Sequence, residues 1–196
     1  MTVFRLGLTG SIGMGKSTTA GFFAAAGIPV WDADAAVHRL YARGGLGVAA
    51  LQPHFPEAIR DEAVSREALK AALAADPTRF AQLDSLVHPL VAQDRAAFIR
   101  NLGSGLLVLD IPLLFEKGTE SECDAVLLVT APAELQRARV MARPGMTEEQ
   151  FRLILSRQMA DADKRRRADH IVETLSHDST RAYVEALIAH IRARKG

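Results

Sequence analysis

The sequence predicts an α/β protein of three layers, a five-stranded parallel sheet covered by helices on both faces. Three features of the 196-residue chain predict it. Short apolar runs rich in β-branched residues alternate with longer stretches of helical periodicity, the alternation that builds parallel sheets. Several of those runs are apolar on both faces, as strands buried between helices are. A glycine-rich turn lies between the first run and the first helical stretch.

The expected strands are residues 4–9, 28–31, 106–111, 125–130 and 170–173. A first helix should begin at the Gly15-Lys16-Ser17 turn and run to Ala26, where Gly27 closes it and Pro29 prevents continuation. Between the second and third strands, about seventy residues carry no strand signal, far more than a usual βα connection. Their pattern is helical over 67–75, 78–87 and 89–102, the last with Pro89 in its first turn. This reads as a helical insertion over the sheet edge, suited to a second substrate. An Arg-rich helical stretch, 147–167, follows the fourth strand's helix. The C-terminal helix should start near Ser179 or Thr180, with Val184, Leu187, Ile188 and Ile191 recurring at helical spacing. The expected layout is one domain, 1–196, with a core of 1–37, 103–138 and 168–196. The insertion then covers about 38–102 and a lid about 139–167.

Composition narrows the function classes. Hydrophobic residues make up 48% of the chain, ample for a core, and the net charge of +1 excludes polyanion binding by bulk charge. The single cysteine, Cys123, excludes an intramolecular disulfide and a thiolate zinc site, and reads as a buried small hydrophobe. No run approaches the ~18 apolar residues of a membrane span, and no basic segment precedes an apolar stretch at the N-terminus. The expectation is a soluble, cytoplasmic protein with no membrane and no nucleic-acid partner, its oligomeric state left open.

The chemistry begins at Gly10-Ser11-Ile12-Gly13-Met14-Gly15-Lys16-Ser17, which fits G-x-x-x-x-G-K-[ST] at every defined position. A strand leads in and a helix leads out, as a P-loop requires. Its glycines let successive N–H groups cradle the β- and γ-phosphates of ATP at a helix N-terminus. Lys16 would reach the β- and γ-oxygens, Ser17 would ligate Mg²⁺, and Thr18 would sit nearer the α-phosphate. The fold is thus of the P-loop NTPase type.

A P-loop names the nucleotide site and leaves the reaction open. A guanine switch would show Asp-x-x-Gly after the third strand and Asn-Lys-x-Asp later. Asp110 is followed by Ile111-Pro112-Leu113, and Asn-Lys-x-Asp is absent. A motor ATPase would carry a second acid after Asp110, where Ile111 stands. The layout favours a small-molecule kinase whose Arg-rich lid excludes water from the γ-phosphoryl group.

Candidate acids follow the strands. Asp34 can accept or orient the proton of an attacking hydroxyl; Asp32 can do the same or simply cap a helix. Asp110 ends the third strand and can meet Mg²⁺ through water, while Glu116 points either into that cleft or to solvent. Arg139 and Arg143, four apart, would share one helical face and converge on phosphate. Lys164-Arg165-Arg166-Arg167 is open to two readings, a phosphate contact or a solvated face. His88 before Pro89 has no second His at ligand spacing, which excludes an imidazole metal site.

Together these residues resemble the dephospho-coenzyme A kinase family. The resemblance runs from Leu8-Thr9 through the P-loop to Thr18, Asp32-Ala33-Asp34 with His38, and Leu83-Asp84 with His88-Pro89. It continues through Leu109-Asp110-Ile111-Pro112-Leu113-Leu114-Phe115-Glu116, Gln136, Arg139, Arg143, Arg157-Gln158-Met159 and Ala168-Asp169. It implies ATP-dependent phosphorylation of the ribose 3′-hydroxyl of dephospho-coenzyme A, giving coenzyme A and ADP. It also implies Asp34 at the acceptor hydroxyl and Lys16 and Arg143 on the transferring group. Asp32, His88, Asp110, Leu113, Leu114, Phe115 and Glu116 would bind the acceptor. The chain departs from the family pattern at Asp61-Glu62, where Asp-Gly is usual, and at Thr174 and His177, where Asn and Gly are usual. The competing readings are another small-molecule P-loop kinase, an ATP-binding regulatory module and a polynucleotide-dependent ATPase.

Overall fold

The computed structural model describes residues 3–194. In chain order the elements are β1 Val3–Thr9, α1 Lys16–Ala25, β2 Val30–Asp32, α2 Ala33–Tyr41, α3 Leu46–Leu51, β3 Ile59–Arg60, β4 Ala63–Val64, α4 Arg66–Ala75 and α5 Phe80–Leu102. They continue with β5 Gly105–Asp110, β6 Ala125–Thr130, α6 Ala133–Met141, α7 Glu148–Ser156, α8 Asp161–Arg167, β7 His170–Glu173 and α9 His177–Ala193. The chain forms two compact units, one of 1–31 with 103–196 and one of Asp32–Leu102.

The first unit is built on a five-stranded sheet of order β2-β5-β1-β6-β7. β1 is central and pairs in parallel with β5 and with β6, and β6 pairs in parallel with β7. Its core joins Leu6, Leu8, Val108, Leu127 and Val129 of the strands to Phe23 of α1 and to Val184, Ile188 and Ile191 of α9. Apolar side chains leave both faces of these strands, so helices must cover both.

All five expected strands are present. The second starts at Val30 rather than at residue 28 because Ile28 belongs to the end of α1. Gly27, at φ 75°, donates to Ala24 O and Ile28 N donates to Phe23 O, a closure that needs a left-handed residue. The C-terminal helix begins earlier than expected, at His177, because Ser176 caps it by accepting from Ser179 N. The stretch 147–167 is two helices instead of one. α7 opens with a capping box between Thr147 and Gln150, and α8 opens only after an extended Ala160.

The second unit has its own core of Leu40, Tyr41, Leu51, Phe55, Val64, Leu69, Leu73 and Val87. Two expectations are corrected here. β3 and β4 form a small antiparallel hairpin, with Ile59 opposite Val64, where no strand was expected; two-residue strands show no periodicity to read. Residues 78–87 and 89–102 are not separate helices, since α5 runs through Pro89. An interior proline costs ~3 kcal/mol. The apolar stripe of Leu83, Leu86, Val87, Leu90 and Val91 continues across it into one core, and that burial holds the helix together.

Candidate active site

The P-loop begins where β1 ends. Gly10 lies against β6 so closely that an added Cβ would stand 2.6 Å from Val129 O. Gly15 is the N-cap of α1 at φ 94°, a left-handed conformation that glycine adopts without steric cost. Lys16 opens α1, and its Nζ donates to Asp110 Oδ1 at 2.5 Å. The side chain of Asp110 is only 3% exposed, so the two charges are paired out of bulk water. Ser17 and Thr18 are exposed in the first turn of α1.

Side chains from α6 and from the turn after α7 clamp the loop. Gln136 of α6 is buried and its Nε2 donates to Ile12 O at 2.8 Å. Gln158, just past α7, accepts from Ile12 N at 3.1 Å. Both backbone groups of Ile12 are thus held, the N–H by Gln158 and the carbonyl by Gln136. Gly13, which leads into buried Met14, has the Val140 side chain and Gln136 O beside it.

Lys164 is the residue whose importance sequence reasoning missed. It opens a run of four basic residues that reads equally as a solvated face, yet it is fully buried. Its Nζ pairs with Glu116 Oε1 at 2.8 Å and donates to Ser11 Oγ at 3.2 Å. Glu116 Oε1 also accepts from Met159 N at 2.8 Å. Burial alone would raise the Glu116 carboxyl, but the Lys164 and Met159 hydrogen bonds outweigh it and hold the group below the usual carboxylate range. The rest of the run is anchored too. Arg165 bonds Asp161, Thr130 and Glu173, while Arg167 pairs with Glu120 and covers the Phe115 ring. A signal for this lay in the partly acidic helix: Asp161 stands one turn before Arg165.

Thr174 replaces the Asn usual in the resembled family and is buried behind Gly15. Its Oγ1 donates to Met14 O at 2.8 Å and itself accepts from Arg139 Nη1 at 2.8 Å. Arg139 Nη2 also reaches Thr174 O at 2.5 Å. Arg143 does not share a helical face with it, because α6 ends at Met141. Arg143 sits in the following turn, exposed, its N–H on Val140 O. Leu114 and Phe115, expected to bind the acceptor, are interior residues at 0% and 2% exposure, and only Leu113 of the three is partly accessible. Their apolar side chains pack in the unit, Leu114 against Gly7. Cys123 is half-buried beside Gly7.

The remaining expected residues lie in the second unit. Asp32 is the N-cap of α2, its Oδ1 accepting from Ala35 N at 2.9 Å. Asp34 is exposed in the first turn of that helix. His88 is exposed within α5, not at a helix start, with Asp84 one turn before it at 3.5 Å.

The first unit therefore gathers a lysine ammonium, hydroxyls and glycine backbone around one loop, the donor set of a phosphate site, with the buried Asp110 carboxylate holding the lysine. Among the described residues, no helix is long and apolar enough to cross a membrane.

A family model described as dephospho-CoA kinase (CoaE) matches residues 4–179. The chain is 62% identical over 192 residues to the dephospho-CoA kinase of Cereibacter sphaeroides, covering 98% of each chain. It is 53% identical over 190 residues to that of Ruegeria pomeroyi, covering 97% of this chain and 96% of the other. Among solved structures, a protein from Thermus thermophilus at 35% identity gives a TM-score of 0.85 over 97% of this chain and 98% of that one. Shikimate kinase from Acinetobacter baumannii, 16% identical, gives 0.55 over 99% and 96%, a likeness of fold alone.

Proposed function

The chain belongs to the dephospho-CoA kinase family, a family of kinases with an alcohol acceptor, and we propose that it phosphorylates the ribose 3′-hydroxyl of dephospho-coenzyme A with ATP. The observation that carries the reading is the P-loop itself, clamped by Gln136 and Gln158 with Lys16 paired to Asp110. Such a loop serves positioning and charge neutralisation, which is most of what phosphoryl transfer asks of a protein.

In this reading, loop N–H groups and Lys16 take the β- and γ-phosphates, and Thr18 lies toward the α-phosphate. Arg139 lies beside Thr174 at the nucleotide, and Arg143 neutralises charge on the transferring group. Asp34 accepts the proton of the 3′-hydroxyl as its oxygen bonds to the γ-phosphorus. The bond from that phosphorus to the β,γ-bridging oxygen breaks, and ADP leaves. Asp32, His88, Leu113 and Glu116 are assigned to the acceptor side. The Ser17 hydroxyl and the Asp110 carboxylate, two hard oxygen donors, suit Mg²⁺, which takes few protein ligands beside phosphate and water. When bound, that ion would offset phosphate charge. A single cysteine and an ATP donor fit action in the cytoplasm.

The test is ADP release on mixing the protein with Mg·ATP and dephospho-coenzyme A, with mass detection of the product. One phosphate on the ribose 3′-oxygen, with Lys16→Ala silent, is the expected result. ATP binding without product overturns the assigned reaction. Asp34→Ala should retain ATP binding and lose roughly a hundredfold or more in turnover, as a positioned base does; wild-type turnover would remove Asp34 from that role.

A further inference from the structure

Lys164 stands outside the motif that defines the loop, and its chemistry constrains the loop. An ammonium group has three donors and no acceptor. The Ser11 hydroxyl, 3.2 Å away, must therefore accept from it, and its own proton must point elsewhere. Ser11 is the second residue of the P-loop and is 7% exposed, and among the described residues no side chain or carbonyl accepts that proton. Glu116, carrying Met159 N–H and Lys164 on one oxygen, keeps the lysine in register, and Lys164 has no exposed surface in which to wander. Accepting from a lysine held this way excludes the hydroxyl proton from the side facing α8 and leaves it only the directions away from that helix. We infer that Lys164 fixes the Ser11 hydroxyl as a hydrogen-bond donor to the phosphate groups of the bound nucleotide, with Glu116 holding Lys164 in place. Ser11 is then a phosphate-binding residue through its side chain as well as its backbone, and Lys164 and Glu116 are positioning residues. The arrangement rests on the reading that this loop binds ATP, and it ties α8 to the occupancy of the loop.

The experiment measures ATP affinity by calorimetry alongside KM for ATP and for the acceptor. Binding is read without turnover, so failure of the assigned reaction leaves this inference separately testable. Ser11→Ala should weaken ATP binding about tenfold, the loss of one hydrogen bond to a charged group, with KM for the acceptor unchanged. Lys164→Met combined with Glu116→Gln removes the charge pair without stranding either partner, and should weaken ATP binding to a similar degree. Adding Ser11→Ala to that pair should then change affinity less than twofold, because the hydroxyl is already undirected. The inference is overturned if Ser11→Ala binds ATP like the wild type. It is equally overturned if Ser11→Ala has its full tenfold effect again in the combined background. Should the pair fail to fold, Ser11→Ala alone decides: a loss confined to ATP supports the inference, and unchanged affinity or an equal loss on the acceptor side ends it.

Discussion

At Gly10 a single methyl group would have nowhere to go. It would meet the carbonyl oxygen of Val129 at 2.6 Å and the Val129 Cβ at 3.3 Å, both fixed parts of a central strand. Gly10→Ala should therefore destabilise the protein by about 1–3 kcal/mol, the range for forcing atoms into a packed site. It should also weaken ATP binding, since the loop must lift off β6 to admit the methyl. Urea unfolding and calorimetric titration read both, and a variant of unchanged stability would show that the loop is free to move. The same scale shows where sequence stops being informative. Lys16 is legible because the motif dictates its neighbours in the chain. Lys164 is not, because its partners Ser11 and Glu116 are 153 and 48 positions away and only folding makes them neighbours. Leu114 and Phe115, buried in the structure, show the converse: a motif records that residues recur together, without separating those that touch a ligand from those that hold the others in place.

At the scale of elements, the β3–β4 hairpin carries a strained turn. Asp61 and Glu62 both have positive φ, 48° and 61°, the geometry of a two-residue turn that favours Asp-Gly. Glu62 occupies the glycine position, at a cost of roughly 1–2 kcal/mol for a left-handed residue with a Cβ. Its ion pair with Arg43 is largely exposed and returns little of that. Glu62→Gly should raise stability by about 1 kcal/mol, less the chain entropy a glycine adds to the unfolded state. A thermal melt checks it, and a lower melting temperature would show that the Arg43 contact outweighs the strain. The five strands of the sheet were legible from their apolar runs because burial on both faces writes itself into composition. The hairpin was not, because four paired residues hold no pattern. The break between α7 and α8 was hidden as well. Residues 157–160 are compatible with a helix, and what takes them out of one is tertiary: Gln158 and the Met159 N–H bond to Ile12 and Glu116 instead. Helix propensity is a weak prior beside such contacts.

Across the whole molecule, the response of folding to acid draws on several perturbed groups, and two of them in the sheet unit are partly buried. His170, at the start of β7, has its imidazole below the ordinary 6.5 chiefly through burial, with His190 and Arg194 acting in the same direction against Asp169. Its folded form binds a proton less readily than its unfolded form. The stability it contributes is therefore complete above 6.5 and is lost as pH falls through the lowered folded value. Glu116 is held below its ordinary 4.5, so its contribution is complete above 4.5 and is lost as pH falls through a still lower value. The first loss opens downward from 6.5 and the second downward from 4.5, so acid should erode the protein in two stages. Thermal melting measured from pH 7.5 to 3.5 should show a first decline beginning near neutrality that is reduced in His170→Gln. A second, below about pH 4.5, should be reduced in Glu116→Gln, where no carboxylate remains to be protonated. Because Lys164 stays buried beside the substituted amide, Glu116→Gln should also lower the melting temperature at pH 7, where the wild-type pair is intact. If the low-pH decline persists unchanged in Glu116→Gln, acid stability resides in the sheet unit's other carboxylates, such as Glu148, which the Arg137 hydrogen bond holds below its ordinary range, and the Lys164 pair contributes only local order to the P-loop.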